Sequence, residues 1–213
     1  MNVTALTVPA ATSNWKRVGW VLLLLGGVFA AGNAVMFLFV EGHGSAEIKE
    51  RFFATAIAGY AHGFGGAIAA LIGPFQLITG IRKSWPKLHV WMGRTYLSAV
   101  LAGGLAGLYF APVSSAGMVG RAGFAALAVF WLYSGTRAYL AIRRGNVQEH
   151  RRWMLRNYAL TFGAATLRIE LPLLIIVGGL SFPAAYTLVA WISWVPNWLL
   201  VEGWLRRGRA VAR

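Results

Sequence analysis

The sequence predicts an all-α, polytopic membrane bundle of about six transmembrane helices with both termini in the cytoplasm. Three observations carry this. Of the 213 residues, 58% are hydrophobic and only 12% charged, about half the charged share of a soluble domain of this length, too little to coat a water-facing globule. The apolar residues fall in runs of about 20, the length that crosses a bilayer. The basic residues crowd into the connections on one side, which fixes orientation through the excess of Lys and Arg on cytoplasmic loops.

Residues 1–15, rich in Thr, Ala, Asn and Pro, read as a disordered segment. Lys16 and Arg17 precede the first apolar run, Val18 to Val40. At about 23 residues it exceeds the 7–15 of a signal-peptide core and reads as a retained span. The stretch Glu41 to Arg51 reads as a loop. Span two runs from Phe52 to Thr79, with Gly59 and Gly63 one turn apart as a face for close helix approach and Pro74 as an expected kink. A basic loop, Arg82 to Lys87, leads to span three, Val90 to Ala111, where Gly103 and Gly107 repeat the small-residue pattern. Span four, Ala122 to Leu140, follows a Ser- and Gly-containing turn. The basic loop Arg143 to Arg152 opens span five, Met154 to Val177, and a turn at Gly178 to Pro183 opens span six, Ala184 to Leu205. The transmembrane domain is thus 16–206, with a basic cytoplasmic tail at 207–213.

In this arrangement the cytoplasmic side carries Lys16, Arg17, Arg82 to Lys87, Arg94, the basic residues from Arg137 to Arg156 and the tail from Arg206, against Lys49, Arg51 and Arg121 opposite. The net charge of +14 is therefore explained by orientation in a bacterial inner membrane and points to no nucleic acid. A reporter enzyme active only outside the cytoplasm, fused after Arg213, is expected to be silent; activity there would invert the topology. No Cys is present, which excludes disulfides, thiolate metal sites and Cys nucleophiles. The chain has no Asp and no phosphate-loop, zinc-protease or nucleophile-elbow motif.

Sorted by depth, the polar residues form two layers. The outer layer has His62, Arg168, Glu170 and Asn33, with Asn197 nearer the middle. A charge in hydrocarbon costs about 2.5–3.5 kcal/mol even on the lenient scale, so Arg168 and Glu170 mark either a site or a packing device. They are two positions apart and face different sides of their helix, which leaves Glu170 or Asn197 as a partner for His62, and backbone carbonyls, an anion or another span for Arg168. The inner layer has Gln76, His89, His150 and Glu202. Two histidines at matching depth suit ligation of haem iron through neutral imidazole, or bonding to loop carbonyls at the interface. Trp85, Trp91 and Trp153 read as interface anchors rather than stacking platforms.

The motifs His150-Arg-Arg-Trp-Met154, Arg156, Tyr158-Ala-Leu-Thr161 and Thr166-Leu-Arg168 resemble the signature of a family of predicted bacterial integral membrane proteins classed as a domain of unknown function. Gly73-Pro-Phe-Gln76, Leu88-His89, Trp91, Gly93-Arg94, Tyr96, Trp194-Val-Pro-Asn197 and Glu202 resemble its other motifs. The resemblance spans roughly 55–205. It implies a multi-span protein without assigned activity and matches at His62, Gln76, His89, Arg94, His150, Arg168, Asn197 and Glu202. The turn Leu88-His-Val-Trp-Met-Gly-Arg94 is also similar to that of b-type cytochrome and ferric-reductase membrane domains.

These readings lead to a redox-linked protein holding haem b or quinone between its helices through His62, His89, His150 and Arg168, with Asn33, Gln76, Arg94, Glu170, Asn197 and Glu202 as further polar site candidates. The alternatives are a transporter for a small solute or proton and a non-catalytic assembly or accessory subunit. The expected partners are the lipid bilayer and other membrane subunits or a second copy of the chain.

Overall fold

The computed structural model describes residues 14–210. The proposed disordered segment therefore lies mostly outside the described residues, except that Asn14 and Trp15 already belong to the first helix. Among the described residues the structure is helical throughout, without strands. Its helices are α1 (Asn14–Phe39), α2 (Ala46–Phe53), α3 (Ala56–Gln76), α4 (Thr79–Ser84), α5 (Pro86–Phe110), α6 (Gly117–Arg143), α7 (Val147–Ile176), α8 (Phe182–Ile192) and α9 (Val195–Ala210). Six segments, α1, α3, α5, α6, α7 and α8 with α9, are long and apolar enough to cross a membrane. Large apolar side chains such as Leu22, Leu25, Ile57, Leu101, Leu105 and Leu200 are exposed around the bundle, as a lipid solvent requires.

Three local expectations need correction. The connection at 41–51 is not a plain loop, because its second half forms α2. There Glu47 pairs with Arg51 at 3.1 Å, and Phe52 stacks on Phe110 at 4.5 Å, so α2 caps the end of the bundle opposite the basic face. The basic loops are shorter than expected, since α4 occupies 79–84 and α7 starts at Val147, where the Asn146 side chain accepts from the Glu149 amide at 2.9 Å and caps the helix. Span six is broken at Ser193–Trp194. Pro196 has no amide hydrogen to return to the Ile192 carbonyl one turn before it, and the neighbouring Ser193 carbonyl accepts from Thr166 on α7 and from the Asn197 side-chain amide at 2.9 Å.

Small residues set the helix spacing. α3 packs against both α1 and α5. A methyl group on Gly65 would lie 2.7 Å from the Ala99 carbonyl and 2.8 Å from the Gly103 Cα, so Gly65 carries the α3–α5 approach. The expected pair acts elsewhere: Gly63 accommodates Leu38 of α1 and Gly59 lies against Phe52. Gly103 and Gly107 do serve close packing, Gly103 against the backbone of Gly65 and Gly66 and Gly107 against the His62 ring. Pro74 removes the amide that would bond the Ala70 carbonyl. That carbonyl instead lies 3.3 Å from the Tyr158 hydroxyl, which is also 3.3 Å from Leu23 O of α1. The core around this point consists of Ala69, Tyr96, Val100, Trp131, Tyr158, Leu160 and Trp194.

Candidate functional site

The centre of the bundle is polar. Tyr96 on α5 donates to the Asn157 side-chain oxygen at 2.7 Å, and its hydroxyl lies 2.8 Å from that of Thr161. Asn157 Nδ2 donates to the Trp131 carbonyl at 2.7 Å and to Ser134 at 2.8 Å, while the Trp131 indole donates to Thr161 at 2.8 Å. Tyr96 and Asn157 are both fully buried. Five side chains thus tie α5, α6 and α7 together where solvent supplies no alternative partners.

This network sets the register of what lies below it. α5 and α7 both start at the basic end and run parallel. His89 precedes Tyr96 by seven positions, and His150 precedes Asn157 by seven. Seven residues are about 20° short of two full turns and rise about 10.5 Å. Each histidine therefore projects from nearly the same face of its helix as the bonded residue above it, and both reach the same inter-helix space at the basic end. Arg82 and His150 are both close enough to act electrostatically on His89. His150 Nδ1 lies 2.9 Å from the Ala138 carbonyl of α6. A carbonyl can only accept, so Nδ1 carries the hydrogen, and Nε2 is the ring nitrogen left for another partner. His89 Nδ1 is buried with no partner, as is Nε2 of Gln76, whose Oε1 lies alongside Gly93, one turn above His89. Burial, and behind it the positive charge of Arg151, holds the Arg82 guanidinium below its usual pKa. Cationic groups are thus crowded around the inner histidines.

The outer residues do not assemble with these. His62 Nδ1 bonds the Gly103 carbonyl at 3.0 Å, and its ring packs edge-on against Phe52 and Phe110. Its partner is therefore a backbone carbonyl and neither Glu170 nor Asn197. Asn197 donates to Thr166 at 3.2 Å and to the Ser193 carbonyl. Arg168 is half-buried and donates to the Ala164 carbonyl of its own helix at 2.7 Å, a backbone carbonyl being one of the three kinds of partner expected for it. Glu170 Oε2 is buried without a partner. Asn33 bonds back to Phe29 at 3.0 Å. Arg94 is exposed and lies 5.3 Å from the Trp91 ring, outside the inner site.

Glu202 accepts from Arg156 at 2.8 Å and from Arg206 at 3.2 Å. The guanidiniums of Arg156 and Arg137 lie 4.8 and 5.0 Å from the Trp153 ring. Asn157, Thr161 and Ser134 escaped the reading of polar depth. The seven-residue offset shared by His89–Tyr96 and His150–Asn157 is the signal that finds Asn157.

No curated protein and no solved structure matches the chain. The model of a family described as predicted membrane protein (DUF2306) matches residues 59–205, a range that contains the whole interior network, both inner histidines and the Arg156–Glu202 pair. The chain therefore belongs to the DUF2306 family of predicted membrane proteins.

Proposed function

We propose that this multi-pass membrane protein is a redox-linked component of the bacterial inner membrane, with both termini cytoplasmic and haem b held between α5 and α7 by His89 and His150. The carrying observation is the pair of imidazoles set two turns below a bonded Tyr96–Asn157 contact on parallel helices. A metal-bound histidine normally donates its other ring nitrogen to a carbonyl or carboxylate, which fixes the tautomer, and the His150–Ala138 bond would serve His150 in that way. A buried ring nitrogen without a partner, as on His89, is the condition that a bound group relieves. Arg82 and Arg151 at the same end, and the free Gln76 amide beside α5, would hold the acidic side groups of haem. When bound, haem supplies one-electron transfer, its potential set by ligands, hydrogen bonds and burial. The chain's own part is to hold the two rings in register from the network above and to keep that network dry.

The test is the absorption spectrum of the protein purified in mild detergent from a haem-competent host. A Soret band that shifts on reduction is expected. A folded, colourless protein overturns the haem reading, and quinone recovered from that protein by solvent extraction would put the redox chemistry on a quinone instead. An electron carrier also needs a donor and an acceptor, which makes further membrane subunits the expected partners.

A further inference from the structure

Beside the interior network, whose Ser134 helps to line it, a cavity of about 590 Å³ opens between α6, α7 and α9 at the basic end. Its mouth carries Arg137, Arg152, Arg156 and Arg206 against only Glu149 and Glu202. Arg137 pairs with Glu149 at 3.1 Å, and Arg156 with Glu202 at 2.7 Å, a carboxylate that Arg206 shares. Arg152 is half-buried and makes no side-chain hydrogen bond or ion pair among the described residues. Its guanidinium is left with unused donors beside two others held in place over Trp153. Further along the spans, toward the middle of the bundle, the lining turns apolar with Phe130, Leu160 and Trp198.

We propose that this cavity holds the phosphate headgroup of an anionic phospholipid, with the start of its acyl chains over Phe130, Leu160 and Trp198. Three features select this occupant. The cavity has a net excess of guanidinium, whose forked donors match phosphate oxygens. Its mouth lies where the spans end, at headgroup depth, and basic pockets between spans at that level suit lipid headgroups. Its apolar floor gives a soluble anion nothing, whereas an acyl chain gains burial there. The volume lies within the range of ordinary ligand sites, about 300–1,000 Å³.

The test is native mass spectrometry of the protein released from vesicles of equal parts phosphatidylglycerol and phosphatidylcholine. The wild type should retain phosphatidylglycerol preferentially. Arg152→Gln should lower that retention about tenfold, the loss of one charge-assisted contact. It should leave the fold intact, since Arg152 has no protein partner to lose. Arg143→Gln, whose guanidinium bonds Tyr139 outside the cavity, should retain as much as the wild type. Equal retention of the two lipids by the wild type overturns the proposal. So does undiminished phosphatidylglycerol binding by Arg152→Gln. Stabilisation of the detergent-solubilised protein by inorganic phosphate as strong as that by phosphatidylglycerol also overturns it, in favour of a soluble anion.

Discussion

His150→Leu is expected to abolish the Soret band of the purified protein, with haem content falling at least about tenfold. Loss of even an outer partner of a metal-bound histidine costs about 10–100-fold in metal affinity or activity, and loss of the ligand itself costs more. The substitution also leaves the Ala138 carbonyl without its ring donor, so folding must be read separately, by helical content and by the elution of the detergent complex. His89→Leu should behave alike. The control is His62→Leu. That ring is bonded to Gly103 and enclosed by Phe52, Phe110 and Gly107, so its loss should lower stability and leave the spectrum unchanged. A His150→Leu protein that keeps a wild-type spectrum would remove the inner pair from the site. Loss of the band with His62→Leu alone would move the ligand to the other end of the bundle.

Asn157→Leu is expected to cost about 2–4 kcal/mol of stability. The substitution takes the acceptor from Tyr96 and one donor each from the Trp131 carbonyl and Ser134. A buried polar group left unpaired costs about 1–3 kcal/mol, although single inter-helix bonds in membranes average nearer 0.6 kcal/mol. Packing adds to this. A methyl on Gly135 would lie in ordinary contact with Asn157 Nδ2, at 3.4 Å, and Leu puts branched apolar atoms where that flat amide sits. Tyr96→Phe removes one hydroxyl and should cost about 1 kcal/mol. Unfolding midpoints in mixed detergent micelles measure both. Asn157→Leu should also weaken haem retention without touching a ligand, because the network sets the register of α5 against α7. An Asn157→Leu protein as stable as the wild type would show that the interior bonds fix packing at no net gain.

The spans were legible because bilayer thickness imposes a length and a composition that hydropathy reads directly. The short helices α2 and α4 were not. Eight and six residues lie well below that length, and the charges of Glu47, Lys49 and Arg51 look the same in a loop as in an amphipathic turn. The break in span six was written in Pro196, but that α7 supports the broken turn shows only once Thr166 is seen to take the Ser193 carbonyl. The site divides the same way. The matched depth of His89 and His150 follows from counting residues. Their shared face follows only from the Tyr96–Asn157 bond, which lies 61 positions apart in the chain. Arg168 was chosen on the energy of a buried charge, and it is half-buried, yet its one bond is to its own helix. Cost of burial identifies a residue that needs partners and says nothing of whether those partners make a site.

The Ala70 carbonyl that Pro74 leaves open bears on how the chain enters the membrane. Its donor, Tyr158, is 88 positions further along, and ribosomes add about 5–20 residues per second. For about 4–18 s the first spans exist without the hydroxyl that α7 will bring. In hydrocarbon an unbonded carbonyl is worth several kcal/mol. Sideways release of α1 and α3 into lipid during that interval is thus opposed by a group that water or the insertion machinery must satisfy. The late arrival of one tyrosine couples the two halves of the chain in time, so that truncation before α7 should leave the early spans bound to the insertion apparatus and exposed to its quality control.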